Sequence, residues 1–322
     1  MRPHVYAVLL AGGQGSRFWP QSRTIEPKQF LCLHGDMTLF EGTVCRIKPL
    51  VSPRNIYVAT SELYRSQITE MLKKAGIPVE NLICEPEGKN TAPCIAAACR
   101  LIALRDKEAR ICVLPCDHLI RNPGAFVRVL GQAVDGCGDS LVVFGIQPER
   151  AATGYGYIKV RKRGKGTGIF RAVERFCEKP DLATARTFLR DGGYYWNSGV
   201  FVGAAKVFME EFRAHQPALY GAMMRSRSLD DIMKGWKSIK PVSFDYGILE
   251  KTRRIRMLVA RDLGWSDLGS WQAWDELLEK DADGNSIKGD VINVGSTNTT
   301  VWSHKRLVAA IGLDDLIVVD TP

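Results

Sequence analysis

The feature that most narrows what this chain can become is an apolar run, Val5 to Ala11, that ends directly in Gly12-Gly13-Gln14-Gly15. The run reads as a buried β-strand, and the glycines let the backbone turn sharply and point several N–H groups at one anion. Ser16 and Arg17 follow at once, and Pro27-Lys28-Gln29-Phe30 brings a second cation a short loop away. Gly12, Gly13, Gly15, Ser16, Arg17 and Lys28 are therefore the expected holders of a polyphosphate. No Gly-Lys-Ser/Thr follows, which excludes a Walker A loop. Phe18 stands where a dinucleotide fingerprint needs its third glycine. Taken alone, GGxG is equally a plain turn; the nearby Lys28 tips the reading toward an anion site.

Downstream, β-branched runs alternate with helical patterns: strands at Asn55 to Thr60, Val79 to Cys84 and Ile111 to Pro115, helices ending at Ala75 and covering Thr91 to Leu104. That rhythm is an α/β sheet with helices on both faces, whose crevice lies beyond the strand carboxyl ends. From Leu141 the strands shorten to hairpin-like spacing (141–146, 156–160, 170–179) before helices resume at 182–190 and 206–215. A helical segment, 271–280, leads to the polar stretch Asp281 to Asn285, where a boundary is expected, giving domains 1–282 and 283–322. Beyond it, 291–294, 299–302, 307–311 and 316–320 are short apolar strands at near-regular spacing. They suit the first coils of a β-solenoid or, equally, an irregular β appendage.

The formal charge of +9 would suit a nucleic-acid binder, but the cations are scattered. The densest cluster, 161–166, sits in an expected hairpin and reads as a solvated loop. Charged anionic substrates explain the balance as well, and no nucleic-acid motif is present. Nine cysteines show no CxxC spacing and several lie in apolar runs, as expected of buried thiols in a reducing compartment. No signal-like segment or run of membrane-spanning length is seen, so a cytoplasmic protein without a membrane partner is expected.

Asp117 follows the apolar strand 111–115, and its carboxylate is expected in the crevice with the glycine loop. A second carboxylate, Asp267, lies in the compact Gly264-Trp265-Ser266-Asp267-Leu268-Gly269-Ser270-Trp271. Two carboxylates plus phosphate oxygens suit Mg²⁺, although each aspartate alone could be a cap or turn residue. Zinc at Cys116-Asp117-His118 is disfavoured, because adjacent residues point different ways and no second cluster completes a site. Glu178 and Lys179 read first as a surface pair at a strand end closed by Pro180, Asn197 as part of a bulge, Gly154 as a turn residue, and Gly88 to Thr91 as a loop with Asn90 or Thr91 capping a helix.

GGQGSRFWP with PKQF, the PxDH-like Pro115 to His118, FxEKP at 176–180, NSGxF at 197–201 and GWSDLGSW at 264–271 occur in order along the chain. Together they resemble the sugar-1-phosphate nucleotidyltransferases. The resemblance implies a Rossmann-like (GT-A-like) mixed sheet flanked by helices and a short C-terminal left-handed β-helix involved in subunit contact, hence a homodimer. Its Trp-Pro form implies GTP and mannose 1-phosphate as substrates and GDP-mannose and diphosphate as products. Within that pattern Arg17, Lys28, Asp117, Lys179 and Asp267 are catalytic, and Asp117 and Asp267 hold Mg²⁺, with Mn²⁺ a candidate replacement. The nucleotide falls to the glycine loop with Gly88 and Asn90, the sugar phosphate to Gly154, Glu178, Lys179 and Asn197. Lys89 replaces a more usual arginine, and Cys116 a more usual small residue. Longer relatives carry a phosphomannose isomerase domain after this region, so a monofunctional form is expected. Another sugar-1-phosphate nucleotidyltransferase, or a non-catalytic sugar-nucleotide sensor, is the alternative.

Overall fold

The structure, a computed structural model, describes residues 2–13, 15–33, 35–161 and 169–321; residues 162–166 of the basic cluster lie outside the described residues. It divides into two compact units: Met1–Gly12, Phe40–Cys116 and Ile120–Trp265 form the first, and Gly13–Leu39, Asp117–Leu119 and Ser266–Pro322 the second. In chain order the strands are β1 (Val5–Leu10), β2 (Ile56–Ser61), β3 (Leu82–Glu85), β4 (Arg110–Pro115), β5 (Leu119–Ile120), β6 (Leu141–Ile146), β7 (Tyr157–Val160), β8 (Phe170–Cys177), β9 (Tyr194–Ala204), β10 (Ile255–Val259), β11 (Trp265–Ser266), β12 (Ser286–Lys288), β13 (Val291–Val294), β14 (Thr300–Trp302), β15 (Val308–Ile311) and β16 (Ile317–Val319).

The first unit is built on a nine-stranded sheet ordered β3-β2-β1-β4-β9-β6-β10-β8-β7. Its first four strands run parallel. They are continuous apolar segments buried almost throughout, as strands covered on both faces must be. β9 then enters antiparallel to both β4 and β6, and the β7/β8 pair closes the other edge antiparallel. The sheet is thus mixed, as the family resemblance implies and as a purely doubly wound reading does not. At 79–84 the expected strand begins late: Val79–Asn81 is a 3₁₀ turn after Pro78 and only Leu82–Glu85 pairs with β2.

Helix packing follows composition. The helix Thr91–Arg105 is capped by the Asn90 side chain, which accepts from Thr91 N at 2.9 Å, and its alanine-rich face is wholly buried. Small side chains let its backbone approach the sheet and the helix Ala205–His215 closely. Two helices, Pro217–Arg225 and Leu229–Lys234, follow where no pattern was legible.

In the second unit, β12, β14 and β16 pair in parallel, as do β13 and β15. Stacked parallel strands of consecutive coils are a β-solenoid, not an irregular appendage. Asn285, almost fully buried, ties coil to coil by donating to Ser296 O and accepting from Thr299 N. The compact units part at residue 265 because the glycine-loop segment shares a core with the coils: Phe18, Leu31, Leu33, Leu119, Leu268, Trp274 and Trp302 pack together. Trp302 stacks on Trp274 with ring centroids 4.9 Å apart. The expected helix 271–280 is short for the same reason, holding only Trp271–Asp275 before the chain turns to the coils. Trp302→Ala should cost about 3–5 kcal/mol, read as a lower urea midpoint.

Candidate functional site

In the second unit the glycine turn is set by one residue. Gly15 has φ +61°, and a Cβ there would overlap Lys28 Cβ. Gly12 and Gly13 have ordinary φ and room for a methyl group, so the turn does not require them, contrary to the expectation from sequence. Phe18 N donates to Gly15 O at 2.9 Å, which closes a short 3₁₀ turn over Ser16–Phe18. Phe18, the residue that breaks the dinucleotide pattern, is buried against Trp271.

The turn delivers two cations to different settings. Lys28 is buried, and its ammonium donates to Asp117 Oδ2 at 3.1 Å and to the main-chain oxygen of Asp267. Arg17 is exposed, with Nη2 3.9 Å from Asp267 Oδ2, while Asp267 Oδ1 accepts from Gly269 N at 2.9 Å. Sequence segments far apart therefore meet around one ammonium group. Burial works against a charge on Asp117, but the Lys28 ammonium and the His118 imidazole outweigh it and hold the carboxyl below its ordinary value. His118 Nε2 stands 3.8 Å from Asp117 Oδ1, beside the carboxylate. The carboxylates of Asp117 and Asp267 are hard oxygen donors of the kind Mg²⁺ takes.

In the first unit a second polar group gathers at the carboxyl end of β8. Glu178 is nearly buried and Lys179 Nζ lies 3.2 Å from its Oε1, while Lys179 itself is exposed and held at φ +43°. Glu178 N donates to Glu250 Oε1 at 3.1 Å. Burial raises the Glu178 carboxyl above its ordinary value, with Lys179 opposing. Asn197, on β9, donates through Nδ2 to Asp245 Oδ1 at 3.0 Å, and its Oδ1 accepts from Gly199 N. Gly154 lies on an exposed bend. The glycine that shapes this group is Gly156, where a Cβ would stand 2.5 Å from Glu178 Oε2. From sequence, Asp245 falls in a block, Ser243 to Lys251, that resembles a family segment near the active site but to which no individual roles could be assigned, and Gly156 is only part of the turn at 153–157, the sugar contact being expected of Gly154.

The loop at 85–91 shows why Lys89 is no simple substitute for arginine. Its ammonium pairs with Glu87 Oε1 at 2.6 Å and donates to Lys237 O at 3.3 Å, so the side chain is buried in holding the loop. Trp236 Nε1 donates to Glu87 O from the other side. Burial pushes the Glu85 carboxyl up to about 7, although Lys89 N donates to it. Asn90 spends its side-chain oxygen on the helix cap, and Gly88 is exposed, with open space where a Cβ would stand.

A family model described as Nucleotidyl transferase matches residues 6–284, and one described as MannoseP isomerase/GMP-like beta-helix domain matches 289–322. The xanthan biosynthesis protein XanB of Xanthomonas campestris pv. campestris (strain B100) is 40% identical over 98% of this chain and 68% of its own length. A mannose-1-phosphate guanylyltransferase of Escherichia coli (strain K12) is 38% identical over 98% of this chain and 69% of its own length. A crystal structure described as mannose-1-phosphate geranyltransferase from Thermus thermophilus superposes with a TM-score of 0.89 at 32% identity, covering 99% of this chain and 93% of that one.

Proposed function

The chain belongs to the nucleotidyl transferase family, and from that premise we propose that it is a mannose-1-phosphate guanylyltransferase, converting GTP and α-D-mannose 1-phosphate to GDP-mannose and diphosphate. Relatives along the whole chain bear that name. The observation that carries the reading is the buried Lys28 ammonium that joins Asp117 to the Asp267 segment beside the glycine turn.

In the reaction a phosphate oxygen of the sugar phosphate attacks the α-phosphorus in line, the new P–O bond forms, and the bond to the β-phosphate oxygen breaks. The nucleophile is anionic at neutral pH and needs no general base. Catalysis is then the alignment of two polyanions that repel one another and the neutralisation of charge on the leaving diphosphate. Backbone N–H groups of Gly12, Gly13, Gly15 and Ser16 would hold the triphosphate, with exposed Arg17 on the diphosphate side and Lys28 at the α-phosphate. Gly88 and Asn90 are assigned to the nucleoside. Glu178 and Asn197 would take sugar hydroxyls with the Gly154 to Gly156 backbone, and Lys179 the sugar phosphate. Asp117 and Asp267 would hold Mg²⁺ (Mn²⁺ the alternative), which supplies charge neutralisation at the phosphates when bound.

Pyrophosphate release measured over a panel of nucleoside triphosphates and hexose 1-phosphates tests the assignment: GTP with mannose 1-phosphate should give the highest kcat/KM, and preference for another pair, or GDP-mannose binding with no turnover, would refute it. Lys179→Ala should raise KM for mannose 1-phosphate about tenfold to hundredfold with little change in KM for GTP. Exposed Ile292, Val294, Leu307 and Ile311 on the C-terminal coils support a homodimer, which light scattering would detect. The nine free cysteines support a reducing, cytoplasmic setting, and among the described residues no helix is long and apolar enough to cross a membrane.

A further inference from the structure

Asn197 has little freedom left. Its Oδ1 accepts from Gly199 N at 3.2 Å, which fixes which end of the amide is oxygen, and one Nδ2 hydrogen goes to Asp245 Oδ1 at 3.0 Å. One N–H and one lone pair remain to meet a ligand. Asp245 opens a π-helical turn, Asp245–Leu249, an irregularity that recurs at functional sites because it re-aims side chains. The same turn leads into Glu250, whose Oε1 accepts from Glu178 N. One irregular turn thus braces both Asn197 and the strand end that carries Glu178 and Lys179.

We propose that Asp245 is a positioning residue for the hexose: by holding the Asn197 amide in one orientation beside Glu178, it aligns the hydroxyl-reading groups of the sugar-phosphate site without itself contacting the nucleoside triphosphate. This deepens the reading of the same site given above and rests on it. The charged groups around Asp245 are Glu178, Lys179 and Glu250. Burial, reinforced by the neighbouring Glu178, pushes its carboxyl up to about 7, so it holds its proton below that pH. A neutral amide is then a close substitute, and Asp245→Asn can preserve an oxygen for Asn197.

Three variants of the full chain, assayed at pH 6.5 with each substrate varied, decide the matter. Asp245→Ala should raise KM for mannose 1-phosphate about tenfold to hundredfold while KM for GTP stays within about twofold. Asp245→Asn should recover most of that loss. Asn197→Ala should mimic Asp245→Ala, and the double variant should lose little more than either, because both remove one unit. An Asp245→Ala enzyme with unchanged KM for the sugar phosphate, equal losses for both substrates, additive losses in the double variant, or no rescue by asparagine each overturns the role. If the unaltered enzyme releases no pyrophosphate from GTP and mannose 1-phosphate, the functional reading falls and this role with it. An active enzyme with an indifferent Asp245 removes this role alone.

Discussion

Asp117→Asn and Asp267→Asn should each lower turnover by about 10²-fold or more while the protein stays folded. Asparagine keeps the size and one oxygen of the carboxylate, so Lys28 still has an acceptor at position 117, and its bond to the main-chain oxygen of Asp267 is untouched. What the substitution removes is negative charge, the property a divalent cation needs and a packing role does not. Asp117 is partly exposed but its partner Lys28 is buried, so removing the charge at position 117 should cost about 1–3 kcal/mol, softened by the oxygen that asparagine keeps. The same reasoning predicts that the Mg²⁺ concentration for half-maximal rate rises in both variants. Steady-state kinetics with Mg²⁺ varied, alongside circular dichroism, check this; near-normal rates with unaltered Mg²⁺ dependence would remove the metal assignment.

The parts of this molecule that could be read in the sequence are those where local chemistry and tertiary role agree. The strand from Val5, the helix from Thr91 and the strand from Arg110 announce themselves because buried parallel strands and alanine-rich helices need apolar runs whatever surrounds them. Lys28, Asp117 and Asp267 could be named as candidates because their flanking patterns are ordered and specific. That they meet at one ammonium could not, since a separation of 239 residues along the chain carries no geometry. The roles of Gly156 and Asp245 were not legible for a different reason. Their importance lies in what stands next to them, Glu178 in one case and Asn197 in the other, and neither neighbour is near in sequence. The shared core of Phe18, Trp274 and Trp302 likewise joins the glycine-loop segment to the coils through contacts that composition near Asp281 does not reveal. Lys89 shows the converse: a departure from the expected arginine was visible, but its physical meaning, a cation bound internally to Glu87, needed coordinates.

Gly15→Ala is the substitution outside the charged residues with the largest expected effect. Two costs combine at this position. A left-handed φ of +61° costs a residue with a Cβ about 1 kcal/mol, and the added methyl group overlaps Lys28 Cβ, an atom fixed to the backbone that cannot swing aside as a side-chain tip could. Overpacking of that kind costs about 1–3 kcal/mol, so a total loss of roughly 2–4 kcal/mol is expected. Relief can come only by moving Lys28, and that breaks the bridge from its ammonium to Asp117 and Asp267. Turnover should therefore fall by about 10²-fold even in the folded fraction. Gly13→Ala supplies the contrast: its φ is ordinary and no atom lies within 4 Å of the new Cβ, so stability should move by less than about 0.5 kcal/mol. Denaturant unfolding of the two variants separates the contributions. Equal stability of Gly15→Ala and Gly13→Ala would mean that the turn is not locked onto Lys28, and the coupling between the glycine turn and the aspartate pair would have to be abandoned.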